Sequence, residues 1–275
     1  MWYFLALSLF AIFFNKKVSV LILMFTAAIG IFSDVLDWRA IVFLSSMGII
    51  AFVYYRSTNK ILLMVLEIVL LLASVGLMLH MIPGFHNLIV LDSVRVGQES
   101  APFTMYYNFD KALVPFLLCV SLKTLFTTEA RIYAKSWYWF MLVLAVPLLL
   151  IVAVALGGLK FEPHQPEWLL KFVLANVFFV SLAEEALFRG YLQQRLSAVM
   201  HPILSLVIAS LLFGGLHYAG GSLMVIFATL AGLIYGLAWM FSGRLWVAVL
   251  FHVCLNLCHL LLFTYPVLQR LPQII

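Results

Sequence analysis

Runs of apolar residues follow one another along almost the whole chain, and they constrain its fold more than any other feature. The runs cover residues 2–14, 18–32, 40–55, 61–80, 112–126, 139–156, 169–182, 203–216, 223–240 and 245–263. A helix that crosses a bilayer needs about 20 mainly apolar residues. The sequence therefore predicts an all-α protein, a polytopic transmembrane helical bundle of about eight to ten spans.

The composition excludes the soluble classes of protein. Hydrophobic residues make up 65% of the 275 residues and charged residues 10%, whereas soluble proteins average about 45–50% and about 25%. So few charges cannot cover a soluble surface, and they do not form the dense Lys/Arg face that nucleic acid requires. We expect the lipid bilayer as the surroundings and no nucleic-acid partner, and the sequence does not predict an oligomeric state.

The basic residues are biased toward alternate breaks between the runs. One set of breaks holds Lys16, Lys17, Arg56, Lys60, Arg131, Lys135, Arg195 and Arg244. Cytoplasmic loops carry an excess of Lys and Arg, so this set is predicted to face the cytoplasm and the N-terminus to lie outside as part of a retained first helix. We expect a multi-pass protein of a bacterial inner membrane.

Two parts of the chain differ in their polar residues. Residues 1–110 are predicted to hold N-terminal membrane helices and an external loop, and residues 111–275 a catalytic membrane domain. In the first part Glu67 stands alone in an apolar run, where it serves either a function or a structural hydrogen bond. The three cysteines, Cys119, Cys254 and Cys258, lie in apolar runs and are interpreted as small buried hydrophobic residues.

Six polar residues lie in or beside the apolar runs of the second part: Glu184, Glu185, Arg189, His217, His252 and Asn256. Each charge at mid-bilayer costs on the order of 3 kcal/mol, so chance does not explain the cluster. Glu185 and Arg189 are four residues apart and should form an ion pair on one helix face. Glu184 is rotated by about 100° from Glu185 and has no such partner in its helix, which makes it the candidate general base. A helix-packing network is the structural alternative.

Two further pairs repeat the four-residue spacing, namely Phe213 with His217 and His252 with Asn256. Counted along ideal helices, Glu184 and Asn256 lie roughly 18 Å from the cytoplasmic helix ends, His217 roughly 21 Å and His252 roughly 12 Å. We therefore expect one shared site. Glu184 and His217 can bind and deprotonate a water molecule, and His252 and Asn256 can donate hydrogen bonds to an oxyanion, a set that suits amide hydrolysis.

The three motifs together resemble those of a known family. Glu184-Glu185-Ala-Leu-Phe-Arg189 resembles E-E-x-x-x-R, Phe213-Gly-Gly-Leu-His217 resembles F-x-x-x-H, and His252-Val-Cys-Leu-Asn256 resembles H-x-x-x-N of the CPBP intramembrane proteases, also called the type II CAAX protease or Abi family. The resemblance covers roughly residues 168–262.

The resemblance implies an intramembrane endopeptidase acting on a membrane protein or a lipidated peptide. It implies Glu184 as the base, assisted by His217, and an oxyanion stabilised by His252 and Asn256. Glu185, Arg189 and Phe213 would support these residues.

Three alternatives stay open. We expect a glutamic-type protease without a cofactor, but Glu184, His217 and His252 could instead bind zinc. A b-type haem could be held by His252 with His259, or by His80 or His217, in which case the carboxylates are unexplained. A non-catalytic transporter or membrane partner would also use intramembrane acids.

Overall fold

The computed structural model describes residues 1–269, and helices dominate it. The first four helices are α1 (Trp2–Ala11), α2 (Lys16–Phe32), α3 (Trp38–Arg56) and α4 (Lys60–Met78). Helices α2, α3 and α4 each begin after a polar residue, Asn15, Asp37 or Asn59, whose side-chain oxygen accepts hydrogen bonds from two backbone amides of the first turn. These caps satisfy amides that a helix leaves without an internal partner, which is why the polar breaks fix the helix starts.

The long polar break after α4 contains secondary structure that the sequence analysis did not predict. Strands β1 (Leu88–Val94) and β2 (Phe103–Tyr107) form a two-stranded sheet, and the short helix α5 (Phe109–Ala112) follows. The next apolar run, residues 112–126, was expected to be a span, but it contains only the eight-residue helix α6 (Val114–Ser121). Most of α6 is buried inside the protein.

The second half of the chain consists of long helices. They are α7 (Ser136–Ala155), α8 (residues 169–196), α9 (Pro202–Gly215), α10 (Ser222–Ser242) and α11 (Leu245–Leu262), with a 3₁₀ turn at Tyr218–Gly220 between α9 and α10. Within residues 1–269, five helices are long and apolar enough to cross a membrane, namely α3, α4, α7, α10 and α11. The polytopic helical class is thereby confirmed, and the number of spans stays a prediction.

The chain divides into two compact units that interleave along the sequence. Among the described residues, the first unit comprises residues 1–88, 106–128 and 174–191, and the second comprises residues 89–105, 129–173 and 192–269. The predicted functional boundary at residue 110 stays a prediction.

Each unit has a core of its own. In the first unit, Trp2 of α1 makes edge-to-face contacts with Tyr107, Phe109 and Phe179, so α1 packs beside α5 and the middle of α8. In the second unit, α10 packs against α7, α9 and α11. The close approach of α9 and α10 depends on Gly214, because a Cβ at this position would overlap Thr229 Oγ1 of α10.

Candidate active site

The acidic motif on α8 forms the predicted ion pair. Arg189 Nη1 donates to Glu185 Oε1 at 2.9 Å, and both side chains are fully buried. Burying a charge without a partner costs much free energy, so each of these two side chains lowers the cost of burying the other. The four-residue spacing predicted this contact from the sequence.

The helix that carries this motif is irregular, although a regular α-helix was expected. Residues Leu182–Glu185 form a short α-helical segment between the π-helical segments Ala175–Ser181 and Ala186–Gln193. π-Helical segments are rare and often occur at functional sites, because the wider turn changes where side chains point. The two glutamates thus lie on the stretch of regular helix between two distortions.

Glu184 has a cationic partner from another helix, and the sequence indicates only that none lies in its own helix. Lys111 Nζ of α5 lies 3.9 Å from Glu184 Oε1, and the side chains are 18% and 12% exposed. The sequence analysis searched for a partner one helical turn away, whereas the partner comes from a distant part of the chain. The only signal was the pair Asp110-Lys111 directly before an apolar run.

A hydrogen-bonded cluster fixes the residue next to Lys111. The Asp110 carboxylate is 2% exposed. It lies 2.6 Å from His80 Nδ1 and accepts from Asn87 Nδ2 at 3.0 Å and from the Lys111 amide at 2.8 Å. Asn87 Oδ1 also accepts from the Phe109 amide at 2.8 Å. The cluster therefore anchors α5 and engages Nδ1 of His80, one of the residues considered for haem.

His217 lies just beyond the C-terminal end of α9, and not inside the helix as the depth count assumed. Its Nδ1 is 2.9 Å from the carbonyl oxygen of Phe213, one turn earlier. A carbonyl oxygen only accepts, so Nδ1 carries the proton and donates. In the neutral imidazole the lone pair is then on Nε2, which suits a base or a metal ligand.

His252 of α11 is held between aromatic rings. Its ring is 4% exposed, stacks on Tyr235 at 4.5 Å with an interplanar angle of 13°, and meets Phe213 edge-on at 5.9 Å. The predicted supporting residue Phe213 thus contacts both motif histidines. Tyr235 was missed, because an aromatic residue in the apolar run of α10 has no distinguishing sequence signal.

A cavity of about 450 Å³ in the second unit connects these residues. His217, His252 and Asn256 line it together with apolar side chains of α7, α10 and α11. The structure therefore brings the second and third motifs into one largely apolar cavity, which is typical of ligand sites. Their catalytic roles stay predictions.

His259 lines the same cavity, and its Nε2 lies 3.1 Å from the carbonyl oxygen of Thr264. Because a carbonyl only accepts, this contact places a proton on Nε2 and occupies the nitrogen that would ligate a haem iron.

Of the three residues considered as zinc ligands, His217 and His252 line the cavity of the second unit. A catalytic zinc usually has three protein ligands, so these two residues are not a complete set. No group of three or more His, Cys, Asp or Glu side chains within residues 1–269 is arranged to hold a metal ion.

Glu67 of α4 takes part in a structural hydrogen bond. The Tyr191 hydroxyl of α8 donates to Glu67 Oε1 at 2.6 Å. Of the two interpretations of this intramembrane acid, the contact favours the structural one, since a satisfied carboxyl group is far less costly to bury.

Comparison with known proteins identifies one family. The family model "Type II CAAX prenyl endopeptidase Rce1-like" matches residues 166–258. All three motifs lie within this range, and the resemblance inferred from them is confirmed. The match supports an intramembrane peptidase of the CAAX-protease type, and with the apolar helices it supports an integral membrane protein. Neither the curated proteins nor the solved structures gave a match.

Proposed function

We propose that this protein is a glutamic-type intramembrane endopeptidase that hydrolyses a peptide bond of a membrane-associated or lipidated substrate. The observation that carries the proposal is the apolar cavity lined by His217, His252 and Asn256. Its walls suit an apolar segment beside the scissile bond, and its few polar groups suit the reacting carbonyl. The family match over the same residues supports a peptidase.

In the proposed reaction, Glu184 removes a proton from water while Nε2 of His217 helps to orient and deprotonate it. The oxygen of the water attacks the carbonyl carbon of the substrate and the carbonyl oxygen becomes an oxyanion. His252 and Asn256 donate hydrogen bonds to this oxyanion. The proton held by Glu184 then passes to the leaving amine as the peptide bond breaks.

Glu184→Gln tests the proposed base directly. The amide cannot accept the proton of water, so cleavage should fall by at least about 100-fold, at the lower end of general-base contributions. Membrane peptides from cells with the wild type and the variant are compared by mass spectrometry, with thermal unfolding as the check on folding. Glu129→Gln, which alters an exposed carboxylate in a loop, is the matched control. Wild-type cleavage by Glu184→Gln would refute the assignment, and a complete lack of cleavage products in the wild type would favour a non-catalytic protein.

Chelation tests the proposed independence from metal. Asn256 favours oxyanion stabilisation, because a side-chain amide is a good donor and a poor zinc ligand. We expect protein purified with a chelator to remain active with less than one metal ion per chain, as measured by elemental analysis. Activity that is lost on chelation and restored by zinc would instead make Glu184, His217 and His252 metal ligands.

A further inference from the structure

The contact between Lys111 and Glu184 joins a residue inside the part of the chain that the family model matches to a residue outside it. Glu184 is inside the matched range, whereas Lys111 precedes it. The two side chains are largely buried, and their charged atoms are 3.9 Å apart. At such a separation the attraction between opposite charges grows as water is excluded, so the pair is worth more here than on the surface.

Hydrogen bonds hold the short helix α5 that presents Lys111. Asp110, its neighbour in α5, is almost fully buried and receives hydrogen bonds from three directions. The side chain of Asn87 bridges Asp110 and the Phe109 amide. A lysine on a mobile loop would lose much conformational entropy on pairing, but a fixed backbone reduces that cost.

We propose that Lys111 is a positioning residue, and that the α5 segment anchored at Asp110 holds its ammonium group against Glu184 to fix the orientation of that carboxylate. This inference rests on the proposed role of Glu184 as the base. A carboxylate with an ion-pair partner from another helix has fewer accessible rotamers, and a misplacement of about 1 Å can cost about 100-fold in rate. The N-terminal part of the chain thereby contributes to the placement of the proposed base.

Kinetics of three variants test the proposal. Lys111→Met should lower kcat by about 10-fold or more with KM changed by less than about two-fold, because the lysine orients the base and does not bind substrate. Lys111→Arg keeps the positive charge and should recover most of the rate. Lys60→Met is the matched control, since Lys60 is exposed at the start of α4. A raised KM with unchanged kcat in Lys111→Met would overturn the proposal in favour of substrate binding.

A double-mutant cycle measures the contact without reference to activity. Melting temperatures in detergent are measured for the wild type, Lys111→Met, Glu184→Gln and the double variant. The effect of Lys111→Met is then compared between the wild type and the Glu184→Gln variant. Because neighbouring residues that interact are not additive, Lys111→Met should lower the melting temperature more in the wild type. Equal shifts in both backgrounds would overturn the contact. If the wild type cuts no peptide at all, the proposed function fails, and the cycle still decides whether Lys111 holds Glu184.

Discussion

Three acidic side chains of the first unit that are buried or half-buried have polar partners. Glu185 pairs with Arg189, Glu184 with Lys111, and Glu67 with the hydroxyl of Tyr191. The first pair has no solvent exposure at all, so its attraction is offset by the full cost of removing two charges from water. Removal of one member is therefore more harmful than the absence of both.

Glu185→Gln should destabilise the protein more than Glu184→Gln does, because the Glu185–Arg189 pair is shorter and fully buried. The change leaves the buried guanidinium of Arg189 without its counter-charge, which costs about 3–5 kcal/mol for a broken buried pair. Thermal unfolding in detergent measures the loss. The double variant Glu185→Gln with Arg189→Met removes both charges and should recover part of the stability. A single variant as stable as the wild type would contradict this account of the ion pair.

Sequence separation explains which residue contacts could be predicted. Glu185 and Arg189 lie one turn apart, so helix geometry alone placed them together. Lys111 reaches Glu184 only through the tertiary fold, and the stacking of Tyr235 on His252 likewise joins two helices. No local periodicity encodes such contacts, so the sequence alone could not pair these residues.

At the level of secondary structure, the packing of α9 against α10 determines where His217 lies. Gly214 and Gly215 end α9 just before this histidine. A Cβ on Gly214 would overlap Thr229 Oγ1 and lie 2.7 Å from the Val225 carbonyl oxygen, whereas a Cβ on Gly215 would meet nothing within 4 Å. Two adjacent glycines thus differ completely in their surroundings.

Gly214→Ala and Gly215→Ala form a matched pair. The first should push α9 away from α10 and destabilise the protein by about 1–3 kcal/mol, as overpacking does. It should also lower activity, because His217 lies three residues further along the chain. The second should be neutral or slightly stabilising, since Ala exceeds Gly in helix propensity by up to about 1 kcal/mol. Melting temperatures and cleavage rates of the two variants provide the comparison, and equal effects would refute the close-packing argument.

Hydrogen bonds around the Glu162 carboxylate join three loops of the second unit. Glu162 accepts hydrogen bonds from the Glu99 amide at 2.9 Å and from the Ser100 hydroxyl at 2.7 Å. The Ser100 hydroxyl oxygen in turn accepts from the Tyr265 amide at 3.0 Å. Although burial opposes ionisation, these donors hold the pKa of Glu162 below its usual value of 4.5.

The hydrogen bonds to Glu162 should make the stability of the folded protein depend on pH in the acid range. Because the pKa of Glu162 is lower in the folded than in the unfolded protein, its stabilising contribution is complete above about pH 4.5 and is lost as the pH falls through the folded-state pKa. Melting temperatures of the wild type and Glu162→Gln should therefore converge as the pH falls below this value. Glu167→Gln, an exposed neighbour, serves as the control. A difference that stays constant with pH would refute this role.

Helix positions were predictable to the extent that they follow apolar runs and polar caps, as for α2, α3 and α4. The π-helical segments of α8 were not, since an inserted residue in a helix leaves the apolar pattern nearly unchanged. The sheet of β1 and β2 was missed as well. Its strands lie in a polar break whose aromatic residues are equally typical of an interfacial loop.

For the molecule as a whole, each of the two compact units contains residues from both halves of the sequence. Residues 174–191, with the acidic motif, belong to the first unit together with α1 to α6, while the other two motifs belong to the second. The family match thus spans parts of both units. The contact of Glu184 with Lys111 of α5 lies within the first unit, which therefore contains both the acidic motif and residues that precede the family match.

The orientation in the membrane is a prediction that labelling can decide. After replacement of Cys119, Cys254 and Cys258 by alanine, single cysteines at Lys17, Lys60, Arg131 and Arg244 should react only from the cytoplasmic side, because their loops carry the basic excess. All four positions are exposed in the structure. A cysteine at Gln98, also exposed, should react with an impermeant maleimide only from outside.

In this topology, the membrane crossing that is hardest to form lies between Gln98 and Arg131. Helix α6 has eight residues and so rises only about 12 Å, far less than the roughly 30 Å of a hydrocarbon core. Non-helical backbone can cross at membrane depth only where protein covers it, and the burial of Val114 to Cys119 meets that condition. The predicted pattern therefore requires residues 109–128 to cross as a protein-covered segment. If Gln98 and Arg131 are labelled from the same side, this segment does not cross, and the sidedness of one half of the chain is reversed.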